Sequence, residues 1–116
     1  MAFAYSILTE ITTIAAATAA VYTNPAGTKA YIRTIILYNG NTTTETVMLW
    51  NVPDNTGAVG TAGATNKFYE QEIAPNQTVF IEFAAPGLIL EDENDTIQAD
   101  ADTASKVTIQ IMGATE

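Results

Sequence analysis

The chain has 116 residues, and thirteen acidic side chains against four basic ones give it a formal net charge of −9. It contains no Cys and no His, which excludes disulfides, thiolate nucleophiles, the usual zinc ligands and the commonest general base. A surface this acidic repels nucleic-acid phosphates, and the sequence has no run of about 18 apolar residues that could span a membrane. We therefore expect a single domain over residues 1–116 that binds neither nucleic acid nor membrane.

The first twenty residues fit two patterns. Apolar residues alternate as they do on one face of a strand, at Phe3, Tyr5, Ile7 and Ile11. The same segment also holds a helical stripe that includes Leu8 and Ile14. We predict a strand because the many Thr and Ile side chains are β-branched and stiff at χ1, and residues 15–17, all Ala, leave a short helix open.

Residues 1–20 lack the composition of a secretory signal peptide. They contain no Lys or Arg, and Glu10 lies within what would have to be the apolar core. We expect mature structure in a protein synthesised in the cytoplasm. The Asn-x-Thr sequons at Asn41, Asn76 and Asn94 matter only in a secretory pathway, so we predict turn residues at these positions.

The most strongly patterned part of the chain is residues 28–52. It follows a short predicted strand at 20–23 and a turn at Asn24-Pro25-Ala26-Gly27. Two runs rich in β-branched and aromatic residues flank Asn39-Gly40-Asn41, which predicts a long β-hairpin. Residues 35–38 and 47–50 are apolar on both faces of the pleat, so we expect central strands that are covered on two sides.

The middle of the chain begins with a loop. Residues 53–65 contain three Gly and little that could pack, which predicts a long exposed loop, either a binding element or a flexible connection. Strands are predicted at 66–73 and 78–84, joined by a turn at 74–77. In the second strand Val79, Ile81 and Phe83 face the core, and Phe80 breaks the alternation.

The C-terminal part contains a turn at Pro86-Gly87, a short apolar strand at 88–90 and an acidic connection at 91–95. A second hairpin is predicted from residues 96–111 with its turn at 102–106. Its inward side chains are Ile97, Ala99, Ala101, Val107, Ile109 and Ile111. Its side chains predicted to face water are Thr96, Gln98, Asp100, Thr108 and Gln110. In total about eight short strands predict an all-β antiparallel β-sandwich or jelly-roll, and a parallel α/β sheet lacks its crossover helices.

Two blocks of the sequence resemble small β-sandwich virion proteins of tailed bacteriophages. The first block is residues 20–39, and the second comprises 73–80, Pro86-Gly87-Leu88 and 95–99. Within that family the chain is most similar to capsid decoration, or cement, proteins. The resemblance implies a homotrimer that binds the major capsid protein on the outer surface of the shell, stabilises it and needs no cofactor. Tail and fibre modules carry similar motifs, but we expect neither the extra N-terminal anchor nor the coiled-coil heptads of fibres, so a compact cement role is favoured.

Candidate chemical sites have simpler explanations. Six acids lie within twelve residues and could supply oxygen ligands to Ca²⁺, at Glu91, Asp92, Glu93, Asp95, Asp100 and Asp102. Their spacing is not that of an EF-hand, and we interpret them as a solvated loop and strand face. The acids Glu70, Glu72 and Glu82 lie on neighbouring predicted strands, but outward acids on strands are common and no cleft is indicated. We expect no catalytic residue and no metal site, and hence a binding protein rather than an enzyme.

Two further positions bear on partners. Trp50 is interpreted as core or subunit packing, with a sugar platform, as in a carbohydrate-binding module, as the alternative. Lys29 and Arg33 share one strand face with Tyr31 between them, a short positive stripe that either contacts carboxylates of a partner or keeps an exterior strand soluble. We expect a trimer interface that includes residues 31–38 or 47–50.

Overall fold

The computed structural model describes residues 4–116, in which nine strands form two antiparallel sheets packed as a sandwich. The strands are β1 (Ala4–Thr13), β2 (Ala19–Thr23), β3 (Ala30–Asn39), β4 (Glu45–Val52), β5 (Lys67–Ile73), β6 (Thr78–Glu82), β7 (Leu88–Leu90), β8 (Thr96–Ala101) and β9 (Val107–Thr115). Sheet 1 has the order β1-β9-β3-β6, with β7 also paired to β3, and sheet 2 has the order β2-β8-β4-β5. The predicted β-sandwich is confirmed, and the ambiguous N-terminal segment is a strand from residue 4. Phe3 lies outside the described residues.

The core lies between the two sheets and is built from alternate residues of the central strands. Ile35 and Leu37 of β3 and Val47 and Leu49 of β4 are fully buried. The predicted inward faces of β8 and β9 are also confirmed, because all six of their side chains belong to the core cluster. Period-2 alternation places these apolar side chains on one face of each strand, where burial stabilises the sandwich.

Both predicted hairpins are wrong, because their strands belong to different sheets. β3 pairs with β6, β7 and β9, whereas β4 pairs with β5 and β8. β8 likewise lies in sheet 2 and β9 in sheet 1, so residues 40–44 and 102–106 both cross the sandwich. A central strand pairs with a neighbour on each side. β3 and β4 are both central, but neither is a neighbour of the other. β3 and β4 are central, as predicted, but Tyr38 is not covered on the outside.

The two crossing connections are held together by a buried carboxylate. Glu45 is 1% exposed, and its Oε1 and Oε2 accept hydrogen bonds from Thr103 N at 2.8 Å and from Asn41 Nδ2 at 2.9 Å. Desolvation acts to raise the pKa of Glu45, but the hydrogen bonds from Asn41 and Thr103 and the charge of Lys106 together bring it below its usual value. An ionised Glu45 therefore links the β3–β4 crossing to the β8–β9 crossing.

β6 and β7 form one interrupted edge strand of sheet 1. β6 pairs with residues 34–38 of β3, and β7 pairs with residues 30–32 of the same strand. The intervening residues 83–87 loop out beside Arg33, whose carbonyl oxygen accepts a hydrogen bond from Phe83 N at 2.9 Å. Gly87 ends this excursion at a φ of +103°, and a Cβ there would lie 2.4 Å from Ile32 O. Glycine is therefore required where the edge strand resumes.

Candidate interaction surface

The outer face of sheet 1 carries exposed apolar side chains among polar ones such as Thr34, Glu82 and Gln110. Strand register places its side chains in consecutive rows, with Ile7 beside Met112, Phe80 beside Ile36, and Tyr38 between Thr108 and Thr78. The large hydrophobic residues exposed on β1, β3 and β6 are Tyr5 (83%), Ile11 (67%), Phe80 (62%), Ile7 (49%) and Tyr38 (38%). Single exposed apolar residues are ordinary on proteins, whereas Ile7, Phe80 and Tyr38 lie in neighbouring rows of one face, which makes that face a candidate interaction surface.

A cavity of about 400 Å³ lies at one end of this face. Its lining residues are Tyr5, Tyr31, Arg33, Ala85, Pro86 and Ala114. Tyr5, Ala114 and Tyr31 are direct neighbours across β1, β9 and β3, and the looped-out segment 83–87 supplies the other wall. Arg33 is anchored by the hydrogen bond that its Nε donates to Phe83 O at 3.1 Å. The cavity therefore combines aromatic and apolar walls with one fixed guanidinium.

The predicted positive stripe is only partly continuous. Tyr31 and Arg33 share the cavity, whereas Lys29 lines a separate depression together with the acids Glu91 and Glu116. The Tyr31 hydroxyl donates a hydrogen bond to Glu116 Oε2 at 3.2 Å. Burial raises the pKa of Tyr31, and the Glu116 carboxylate raises it further, so the phenol stays neutral. Arg33 is thus the cation of the cavity.

The outer face of sheet 2 is covered by the chain itself around Trp50 and Gln98, while Glu70 and Glu72 on β5 are exposed. Residues 53–65 form the predicted loop, mostly exposed on its outer side, and it lies over Trp50 and Gln98, each only 7% exposed. Gln98 Nε2 donates a hydrogen bond to Gly60 O at 3.1 Å and so holds the loop against the sheet. Trp50 therefore packs within the protein under the loop and does not present an open ring face. Gln98 and the fully buried Thr96 do not face water, contrary to the prediction.

Three of the six acidic residues of segment 91–102, namely Asp95, Asp100 and Asp102, act individually as hydrogen-bond acceptors. Asp95 accepts from the backbone N–H groups of Asp54, Glu91 and Asp92. Asp100 accepts from the Thr18 hydroxyl, and Asp102 accepts from Thr46 N. Within residues 4–116 no three Asp or Glu side chains are grouped so that they could hold a metal ion. These acids fix turns and connections.

The acids considered for catalysis do not form one group. Glu70 and Glu72 lie on β5 of sheet 2, whereas Glu82 lies on β6 of sheet 1. Glu70 is paired with Lys67 at 2.6 Å in an exposed ion pair on its own strand. The prediction that the three acids occupy neighbouring strands is therefore wrong, since the chain changes sheets between β5 and β6.

Two buried asparagines were missed by the sequence interpretation. Asn24 and Asn39 are at most 1% exposed and precede connections that cross the sandwich. Each Nδ2 donates to the carbonyl oxygen four residues later, of Thr28 at 2.7 Å and of Thr43 at 3.0 Å. Each also bonds across the sandwich, Asn24 to Asp92 O and Asn39 to Ile73 O. The repeated pattern Asn-x-x-x-Thr after a strand is a signal that could have located both crossings.

Comparison with known proteins adds no relative. A scan against protein-family models and a search of curated proteins both found no match. None of the described residues belongs to a helix long and apolar enough to cross a membrane. The outer face of sheet 1 and the two resembling sequence blocks are therefore the features that bear on function.

Proposed function

We propose that the chain is a structural protein that binds other protein surfaces through the outer face of sheet 1, as a trimeric capsid decoration protein of a tailed bacteriophage. The observation that carries this proposal is the set of exposed apolar rows on that face, with Phe80 62% and Tyr5 83% exposed. Exposing apolar surface of this kind to water is unfavourable. Burying it against a partner lowers the free energy of the assembly. The major capsid protein and two further copies of the chain are the proposed partners, on the outer surface of the capsid.

The sequence resemblance supports the same assignment from a different direction. The first resembling block, residues 20–39, spans β2 and β3, and the second begins before β6 and reaches β8. These blocks contribute Tyr31, Tyr38 and Phe80 to the outer face of sheet 1. A β-sandwich is also the fold that the resemblance implies.

The geometry favours one of the two interface segments expected from the sequence. Val47 and Leu49 are fully buried and Trp50 lies under the loop, so residues 47–50 are occupied within the monomer. Ile36 and Tyr38 of the other segment point to the outer face of sheet 1. We therefore assign the trimer contact to residues 31–38 and the strands beside them.

A binding experiment with capsids tests this function. Purified chain is mixed with expanded, undecorated shells, and bound protein is measured by co-sedimentation and located by electron microscopy. We expect saturable binding with three-fold density on the outer shell. Binding to tails or fibres alone would instead assign the chain to a tail or fibre module. Absence of binding to any part of the particle would contradict a virion role. A carbohydrate-binding module has less support because Trp50 is only 7% exposed.

A further inference from the structure

Arg33 is a cation that has no acidic partner among residues 4–116. Its Nε is committed to Phe83 O, but within residues 4–116 its terminal guanidinium nitrogens form neither an ion pair nor a hydrogen bond. Among residues 4–116 Lys67 is the one base that forms an ion pair, and of the other three bases only Arg33 lines this cavity. The remaining walls of the cavity, formed by Tyr5, Tyr31 and Pro86 among others, do not offer a carboxylate.

The chemistry of the cavity defines what it can bind. A guanidinium held by one nitrogen presents its other N–H groups as a planar fork that matches the two oxygens of a carboxylate. Aromatic and apolar walls lower the local dielectric constant and strengthen such a contact relative to a fully exposed ion pair. A space of about 400 Å³ admits a whole side chain and part of its backbone. The cavity suits an Asp or Glu side chain presented by a folded surface.

We propose that this cavity binds a carboxylate side chain from a second copy of the same chain. The inference rests on the trimer proposed above and identifies a polar contact within it. The cavity is continuous with the outer face of sheet 1 through Tyr5 and Tyr31, so a copy that covers this face also reaches Arg33. A cyclic trimer joins two different patches of each subunit, so a cavity on one subunit can receive a side chain protruding from the next.

The charge of the chain supplies the reason for such a contact. Copies that each carry a formal charge of −9 repel one another when they approach. The same composition ensures that the approaching surface carries carboxylates. A contact between Arg33 and one of these carboxylates replaces repulsion with attraction at one point and so fixes the orientation of the neighbouring subunit.

The test compares two charge reversals that change the net charge equally. Arg33→Glu alters the cavity on sheet 1, and Lys67→Glu alters an exposed base on sheet 2, and each changes the formal charge from −9 to −11, that is −9 − 2. Sedimentation equilibrium over a concentration series measures self-association. We expect Arg33→Glu to raise the concentration for half-assembly by about tenfold or more, and Lys67→Glu to change it little. Arg33→Gln, which keeps a donor but no charge, should also weaken assembly if Arg33→Glu folds poorly, and circular dichroism monitors folding.

Four results would overturn the inference. Equal weakening by Arg33→Glu and Lys67→Glu would attribute the effect to net charge alone. Normal self-association of the Arg33 variants together with lost shell binding would place the carboxylate on the coat protein instead. If both Arg33 variants form trimers at the same concentration as the wild type, the proposed contact is wrong and the proposed function is unaffected. If the wild-type chain neither self-associates nor binds shells, the proposed function is wrong as well.

Discussion

The outer faces of the two sheets differ in how far the rest of the chain covers their aromatic residues. On sheet 2 the loop 53–65 lies over Trp50 and Gln98 and leaves each 7% exposed. On sheet 1 Phe80 and Ile11 remain 62% and 67% exposed. Antiparallel sheets in a sandwich ordinarily carry polar residues on the solvent side. Within residues 4–116 the chain therefore shields Trp50 on sheet 2 and leaves Phe80 on sheet 1 exposed.

The difference follows from where the long connection lies. The β4–β5 connection returns within sheet 2 and is long enough to fold back over that sheet, where Gln98 binds Gly60 O. In sheet 1 the excursion between β6 and β7 spans only residues 83–87 and covers Tyr31 and part of Arg33, not the rows around Phe80. The longer connection thus lies over part of the outer face of its sheet, and the shorter one reaches only the end of sheet 1 near Tyr31.

The largest expected effect on stability comes from substituting Trp50 on sheet 2, and the matched substitution of Phe80 on sheet 1 is the comparison. Trp50→Ala should lower the free energy of unfolding by roughly 3–5 kcal/mol because it empties a packed space under the loop. Phe80→Ala should change the stability of the monomer by less than about 0.5 kcal/mol because its ring is mostly in water. Urea denaturation at low protein concentration measures both values. Equal losses from the two substitutions would contradict the contrast between the faces.

A smaller loss of stability is expected from substituting Glu45, whose carboxylate links the β3–β4 and β8–β9 connections. Glu45→Gln should destabilise the fold by roughly 1–3 kcal/mol at neutral pH, since the amide can accept only one of the two hydrogen bonds. The folded-state pKa of Glu45 lies below the ordinary value of 4.5, so its stabilising contribution is present above about pH 4.5 and is lost as the pH falls through the folded-state pKa. The stability gap between wild type and variant should therefore narrow from about pH 6 to about pH 3. A gap that is constant across this range would disprove the ionised link.

The smallest expected effect concerns the loop on sheet 2. Gln98→Ala removes the hydrogen bond to Gly60 O and should cost about 1 kcal/mol of global stability. The more sensitive readout is limited proteolysis, because a released loop 53–65 should be cleaved faster while the sandwich persists. Gln110→Ala on the outer face of sheet 1 is the control and should leave the cleavage rate unchanged. Unchanged cleavage of the Gln98 variant would show that this bond does not hold the loop.

Much of the fold could be predicted from alternation and turn residues. Inward positions such as Ile97 and Ile109 were correct because the period-2 pattern reports which face of a strand is buried. Sheet membership was not predictable in this way. A connection of five residues, such as 40–44, serves equally as a hairpin loop and as a crossing, and the buried bonds of Asn39 and Glu45 that distinguish the two depend on residues distant in sequence.

The interaction surface was predictable only in parts. Phe80 interrupted the alternation of its strand, and this break was the signal of its exposure. Tyr31 and Arg33 were placed together correctly from their spacing on one strand. Their cavity also needs Tyr5 and Pro86, which reach it through strand register and the looped-out edge strand. Neither feature can be derived from local sequence patterns.

The central claim is that the outer face of sheet 1 is the assembly surface, and a matched pair of substitutions tests it most directly. Phe80→Asp places a charge on that face, and Val59→Asp places the same charge on a 46% exposed apolar residue of the loop over sheet 2. Sedimentation equilibrium at micromolar concentration should give a trimer mass for the wild type and the Val59 variant and a monomer mass for the Phe80 variant. A trimer that survives Phe80→Asp, or one that is lost equally in both variants, would contradict the account.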